Sequence, residues 1–101
     1  MTFYKLCKTN EVAEGELKPF FLKDIEILVI RHIGEFYCLE GRCTHAGAPL
    51  AEGELRGDVL QCPWHGSRFN IRNGLVLRGP AEKTLRTFNC IIEEDQLLVE
   101  I

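Results

Sequence analysis

Two short motifs constrain this chain more than anything else in it: Cys43-Thr44-His45 and, after sixteen intervening residues, Cys62-Pro63-Trp64-His65. Each supplies one soft thiolate and one imidazole within two or three residues. Thiolates favour iron-sulfur clusters, zinc and cuprous ions, whereas imidazole also suits iron and zinc, so donor type alone leaves the choice open. The surrounding segment is heavily punctuated, with seven of the nine glycines lying between Gly41 and Pro80 beside Pro49, Pro63 and Pro80. Tight turns and close backbone approach follow, as loops wrapped around an inorganic centre require.

The flanks read differently. Thr2–Leu6, Pro19–Leu22 and Ile25–Ile30 are rich in aromatic and β-branched residues and bounded by polar or turn residues, which predicts strands. Glu35–Leu39 follows the glycine-containing connection Arg31-His32-Ile33-Gly34 and pairs with the preceding strand as a hairpin. Glu54–Arg56 and Asp58–Gln61 flank Gly57 in the same way, and Phe88–Ile92 and Gln96–Ile101 flank Glu93-Glu94-Asp95. No segment sustains a 3.6-residue apolar period, so the expected fold is all-β, a sandwich or barrel.

Several functions are excluded on general grounds. With 101 residues the chain suffices for one compact domain, residues 1–101, and not for separate cofactor and substrate domains. A net charge of −3, with acidic groups at Glu11, Glu14, Glu16 and Glu93-Glu94-Asp95, disfavours nucleic acid as a partner. The longest apolar run, Ile25–Ile30, carries Glu26 and is far too short to span a membrane. The opening Met1-Thr2-Phe3-Tyr4-Lys5 lacks the features of an export signal, which predicts a cytoplasmic location. Five cysteines, an odd number, argue there against a disulfide framework and for metal binding by some of them.

The pattern Cys-x-His-x16-Cys-x2-His, each half continuing toward glycine, resembles the Rieske family, in detail over Cys43 to Pro80 and in outline over the β flanks. That resemblance implies a Rieske-like antiparallel β-sandwich or barrel with a loop-rich cluster-binding subdomain at about residues 41–80. It also implies one [2Fe-2S] cluster per chain, with Cys43 and Cys62 on one iron and His45 and His65 on the other. Two thiolates and two neutral imidazoles leave the oxidised cluster uncharged where four thiolates leave a dianion, so its potential lies above that of all-cysteine clusters.

Departures from the family pattern narrow the expectation. High-potential members carry an extra cysteine in each loop, joined as a bracing disulfide; Ala48 and Trp64 stand at those positions here. Ser67 matches the serine that donates to a bridging sulfide in high-potential members, but Phe69 replaces the tyrosine expected two residues later. The resemblance is therefore to the ferredoxins and oxygenase components, with a potential in the lower part of the span of about −150 to +300 mV. Arg78-Gly79-Pro80-Ala81 resembles the loop that covers the third side of the cluster.

The function so implied is one-electron transfer between a flavin-containing NAD(P)H reductase and a terminal oxygenase or other oxidoreductase, by a monomer without catalysis of its own. Two alternatives remain: a small electron-transfer or assembly subunit of a larger oxidoreductase such as nitrite reductase, and a zinc-stabilised interaction module. Zinc fingers usually group cysteines with cysteines and histidines with histidines before a helix, and here each half is mixed. Cys7, Cys38 and Cys90 sit in strand contexts suited to small buried hydrophobes. His32 reads as a solvated histidine, Glu93-Glu94-Asp95 as a solvated turn, and Trp64 either as a shield beside the cluster or as a core aromatic.

Overall fold

The strand Ile25–His32 organises the molecule, because its central residues Ile27–Ile30 are buried on both sides. Side chains alternate across a strand, so consecutive residues serve opposite faces. Leu28 and Ile30 enter one core with Leu39, Leu50, Leu60, Phe69, Ile71 and Leu85; Ile27 and Val29 enter a second with Cys7, Val12, Leu97 and Val99. A continuous apolar run is what a doubly covered strand requires.

The computed structural model describes residues 2–101; Met1, the first residue of the stretch read for an export signal, lies outside them. Eleven strands are ordered as β1 (Phe3–Lys8), β2 (Leu17–Leu22), β3 (Ile25–His32), β4 (Glu35–Glu40), β5 (Glu54–Arg56), β6 (Val59–Gln61), β7 (Arg68–Asn70), β8 (Val76–Arg78), β9 (Thr87–Phe88), β10 (Cys90–Glu93) and β11 (Gln96–Glu100). Single 3-10 turns occupy Thr9–Glu11 and Leu50–Glu52. All pairings are antiparallel.

Three sheets result. The middle one has the order β2-β3-β4-β9; β1-β11-β10 packs through the second core, and β5-β6-β7-β8 through the first. The all-β antiparallel expectation therefore holds, with the middle sheet shared between two apolar cores. Among the described residues no helix is long and apolar enough to cross a membrane.

Most sequence-predicted strands are present with their ends moved by a residue or two, and three findings differ. Phe88–Ile92 is two strands: Thr87–Phe88 pairs with β4, then the chain crosses at Asn89 so that Cys90–Glu93 pairs with β11. Strands β7 and β8 lie in the segment read only as loop. The connection Arg31–Gly34 is shorter than expected, because Arg31 and His32 pair with Phe36 and Glu35 and leave Ile33 and Gly34 as the turn. Both turn residues have positive φ, and their N–H groups donate to the Glu14 carboxylate at 2.6 and 2.9 Å.

Candidate metal centre

Both Cys/His motifs sit at the tips of hairpins with matching backbone geometry. Arg42 pairs with Pro49 at the base of the first; Gln61 pairs with Arg68 at the base of the second. Inside the first, the Cys43 N–H donates to the Ala48 carbonyl at 2.9 Å; inside the second, the Cys62 N–H donates to the Ser67 carbonyl at 2.8 Å. Each cysteine thus opens a six-residue reversal closed by the same hydrogen bond, with its histidine two or three residues on. His65 (φ 55°) and Gly66 (φ 75°) turn the second loop through the left-handed region, as Gly47 (φ 73°) does in the first.

The donors separate by type. Cys43 and Cys62 are 3% and 4% exposed and belong to the first core, with Leu28 and Ile30, whereas His45 and His65 are exposed. The two imidazoles stand edge to face with ring centroids 5.2 Å apart. Burial pushes the Cys62 thiol up, the Trp64 N–H partly lowers it, and the adjacent Cys43 sulfur raises it again.

Among the described residues no three His, Cys, Asp or Glu side chains converge closely enough to hold one metal ion. The four donors instead form a buried sulfur pair and an exposed imidazole pair. A single tetrahedral zinc would need all four on one point. A binuclear centre that takes two protein donors per metal suits two pairs.

A third loop closes the site. The Ala81 N–H donates to Ser67 Oγ at 2.9 Å in a buried position, and Thr44 Oγ1 donates to the Lys83 carbonyl at 2.7 Å. Each Cys/His loop is thereby fastened to the segment after Pro80, and Thr44, His45, Pro80, Glu82 and Lys83 line one shallow concavity. The sequence suggested Ser67 and the Pro80 loop separately. Their direct bond was not legible, because it joins residues fourteen apart through an irregular segment.

The other singled-out residues lie elsewhere. Trp64 is 48% exposed at the loop tip, so it is not a core aromatic. His32 is not freely solvated: its side chain is mostly covered and its Nε2 lies 3.3 Å from Asp58 Oδ1. Cys7 and Cys38 are buried in the second core and Cys90 packs against it, its Sγ donating to the Phe36 carbonyl at 3.5 Å. Burial and then Glu11 push the Cys7 thiol up to about 11, and the Cys90 sulfur together with burial holds Cys38 high, so both remain neutral thiols. Of Glu93-Glu94-Asp95, all exposed, Glu93 ends β10 opposite Gln96 and Glu94-Asp95 form the turn.

The family model of the Rieske [2Fe-2S] domain matches residues 2–89. The ferredoxin component of biphenyl 2,3-dioxygenase from Rhodococcus jostii (strain RHA1) is 37% identical over 101 residues, covering 100% of this chain and 94% of that protein. The ferredoxin component of the p-cumate 2,3-dioxygenase system of Pseudomonas putida is 38% identical over 98 residues, covering 95% and 83%. Among solved structures, a chain from the complex of reduced oxygenase and oxidized ferredoxin in carbazole 1,9a-dioxygenase superposes with a TM-score of 0.87 at 32% identity, covering 96% of this chain and 91% of that one.

Proposed function

The chain belongs to the Rieske [2Fe-2S] domain family, and from that membership we propose that Cys43, His45, Cys62 and His65 hold its cluster while the protein relays electrons to a terminal oxygenase. It is an electron carrier and not itself a catalyst. The donor on this reading is a flavin-dependent NAD(P)H reductase, and the acceptor a terminal oxygenase or other oxidoreductase. When bound, the cluster supplies a one-electron couple. The observation that carries the assignment is the division of the four donors into a buried sulfur pair and an exposed imidazole pair.

The chain's own residues divide the remaining work. Cys43 and Cys62 anchor the cluster from the apolar interior, where water is excluded. His45 and His65, both exposed, would hold it from the surface side, each with a second ring nitrogen available to a partner or a proton. The bonds from Ala81 to Ser67 and from Thr44 to Lys83 hold the three loops in one arrangement around the proposed ligands.

Residues 1–101 act on this reading as one unit with the cluster-binding region at about 41–80, a monomer in the cytoplasm. Cys7, Cys38 and Cys90, the cysteines outside the proposed ligand set, form no disulfide, which supports a reducing compartment. A single small histidine edge supports rapid exchange of partners.

The test is an anaerobic relay of NADPH, a flavin-dependent ferredoxin reductase, the coloured protein and cytochrome c. Cytochrome reduction in proportion to the added protein, lost in His65→Ala, is expected. A coloured protein that leaves the rate unchanged would overturn the carrier assignment.

A further inference from the structure

The face of β5-β6-β7-β8 turned away from the core carries an arrangement that folding alone does not favour. Registry places Glu54, Gln61, Arg68 and Arg78 side by side across the four strands, while Leu55, Leu60, Phe69 and Val76 form the inward row; a bulge at Leu77 in β8 separates the two rows there and lets Arg78 face Arg68. Arg68 and Arg78 are therefore direct cross-strand neighbours, and both are exposed. Like charges placed opposite each other across strands destabilise a sheet. Neither makes an ion pair among the described residues: Arg68 donates to the neutral Gln61 amide at 3.0 Å, and Glu54 is engaged by Arg56 within its own strand at 2.6 Å.

This face adjoins the metal centre. Gln61 precedes Cys62 and approaches Gly66, Arg68 lies three residues after His65, and Arg78 lies two before Pro80. The wider charge distribution has the same sense. Residues 41–86 hold seven Lys and Arg against four Asp and Glu, whereas the rest of the chain holds five against eleven. The acidic turn Glu94-Asp95 lies with Lys8 and Thr9 at the end of the β1-β11-β10 sheet, across the middle sheet from the arginines. Some nearby cations are locally matched, Arg42 by Glu26 and Arg72 by Asp58, and Glu52 and Glu82 are also close to the loops. Arg68, Arg78, Lys83 and Arg86 make no ion pair among the described residues, and of these Arg68 and Arg78 stand opposite each other across strands.

We propose that this arginine face, together with the histidine edge beside it, docks an acidic surface on a redox-partner protein, so that a chain of net charge −3 is steered cluster-first onto anionic partners. The proposal rests on the electron-carrier reading and adds to it the surface chemistry of the partner. A partner carboxylate between Arg68 and Arg78 removes the like-charge repulsion that the free protein tolerates, and Arg presents the planar fork that carboxylates accept. Fields from such patches act mainly on the rate of encounter.

Two electron-transfer partners of opposite surface charge decide the matter by stopped flow: flavodoxin hydroquinone, an acidic donor, and cytochrome c, a basic acceptor. Expected is a flavodoxin rate that falls about tenfold as salt rises from roughly 20 to roughly 300 mM, with the opposite trend for cytochrome c. Double substitution Arg68→Gln with Arg78→Gln flattens both slopes, and Arg68→Glu with Arg78→Glu inverts them, the cluster spectrum being unchanged. Double substitution Lys5→Gln with Lys8→Gln removes the same charge from the far sheet and leaves the slopes as in the parent. A flavodoxin rate that rises with salt, as net charge alone dictates, or arginine variants that keep the parent slope, overturns the proposal. Absence of transfer at every salt concentration brings down the carrier reading and the proposal with it, a result distinct from a wrong sign of slope.

Discussion

Replacing Ser67 by Ala isolates the bond that joins the second ligand loop to the covering loop. Ser67 is 1% exposed and its Oγ accepts the Ala81 N–H at 2.9 Å, while no buried side-chain polar atom among the described residues lacks a partner. The substitution leaves a buried backbone donor without an acceptor, which costs about 1–3 kcal/mol. For a chain of this length each 1 kcal/mol lowers the midpoint by about 4–8 °C, so a fall of roughly 5–20 °C is expected. Because cluster loss makes unfolding irreversible, parent and variant are compared anaerobically by far-UV circular dichroism at one scan rate. The Ser67 hydroxyl proton is not used in the bond to Ala81, and the family resemblance directs it to the cluster. The midpoint potential of Ser67→Ala should therefore fall as well. A holoprotein variant that melts within about 2 °C of the parent would refute the stability reasoning, whatever its potential.

Three further outcomes follow from other positions. Gly74 is buried with φ 75°, and a Cβ there would run into the Leu85 carbonyl oxygen, so Gly74→Ala should cost roughly 3 kcal/mol or more and lower the urea midpoint accordingly. His45→Ala and His65→Ala should lose the normal visible spectrum while His32→Ala keeps it, since His32 meets Asp58 on the side of the hairpin away from the ligand loops; bleaching of the His32 variant would show the ligands misassigned. The N–H bonds from Gly34 and Ile33 hold the Glu14 carboxyl below its ordinary 4.5, so its contribution to stability is complete above that pH and is lost as pH falls through the lower folded value. The parent should accordingly lose stability more steeply than Glu14→Gln below about pH 4.5, as read by acid titration of the circular dichroism signal.

The features legible in the sequence are those carried by local pattern. The run Ile25–Ile30 marked a strand, and its apolar stretch Ile27–Ile30 now reads as double coverage by two cores. The motif spacing around Cys43 and Cys62 marked the two loops, because ligand pairs within three residues need no tertiary information to be recognised. Strands β7 and β8 were not legible: each has three residues, and Phe69 is the sole buried side chain in Arg68–Asn70, too little for a period of two to register. The split of Phe88–Ile92 was hidden for the opposite reason, since Asn89 interrupts a good β pattern only by passing the chain from one sheet to another. Contacts such as Thr44 with Lys83, thirty-nine residues apart, depend on the assembled fold.

The central claim is that two cysteines and two histidines of this chain share one cluster. Pulsed electron paramagnetic resonance on the dithionite-reduced protein, labelled with 15N-histidine, tests it most directly. Two strongly coupled histidine nitrogens are predicted, together with an average g value below that of all-cysteine clusters. An iron-free protein, or a cluster signal without histidine nitrogen coupling, would contradict the claim.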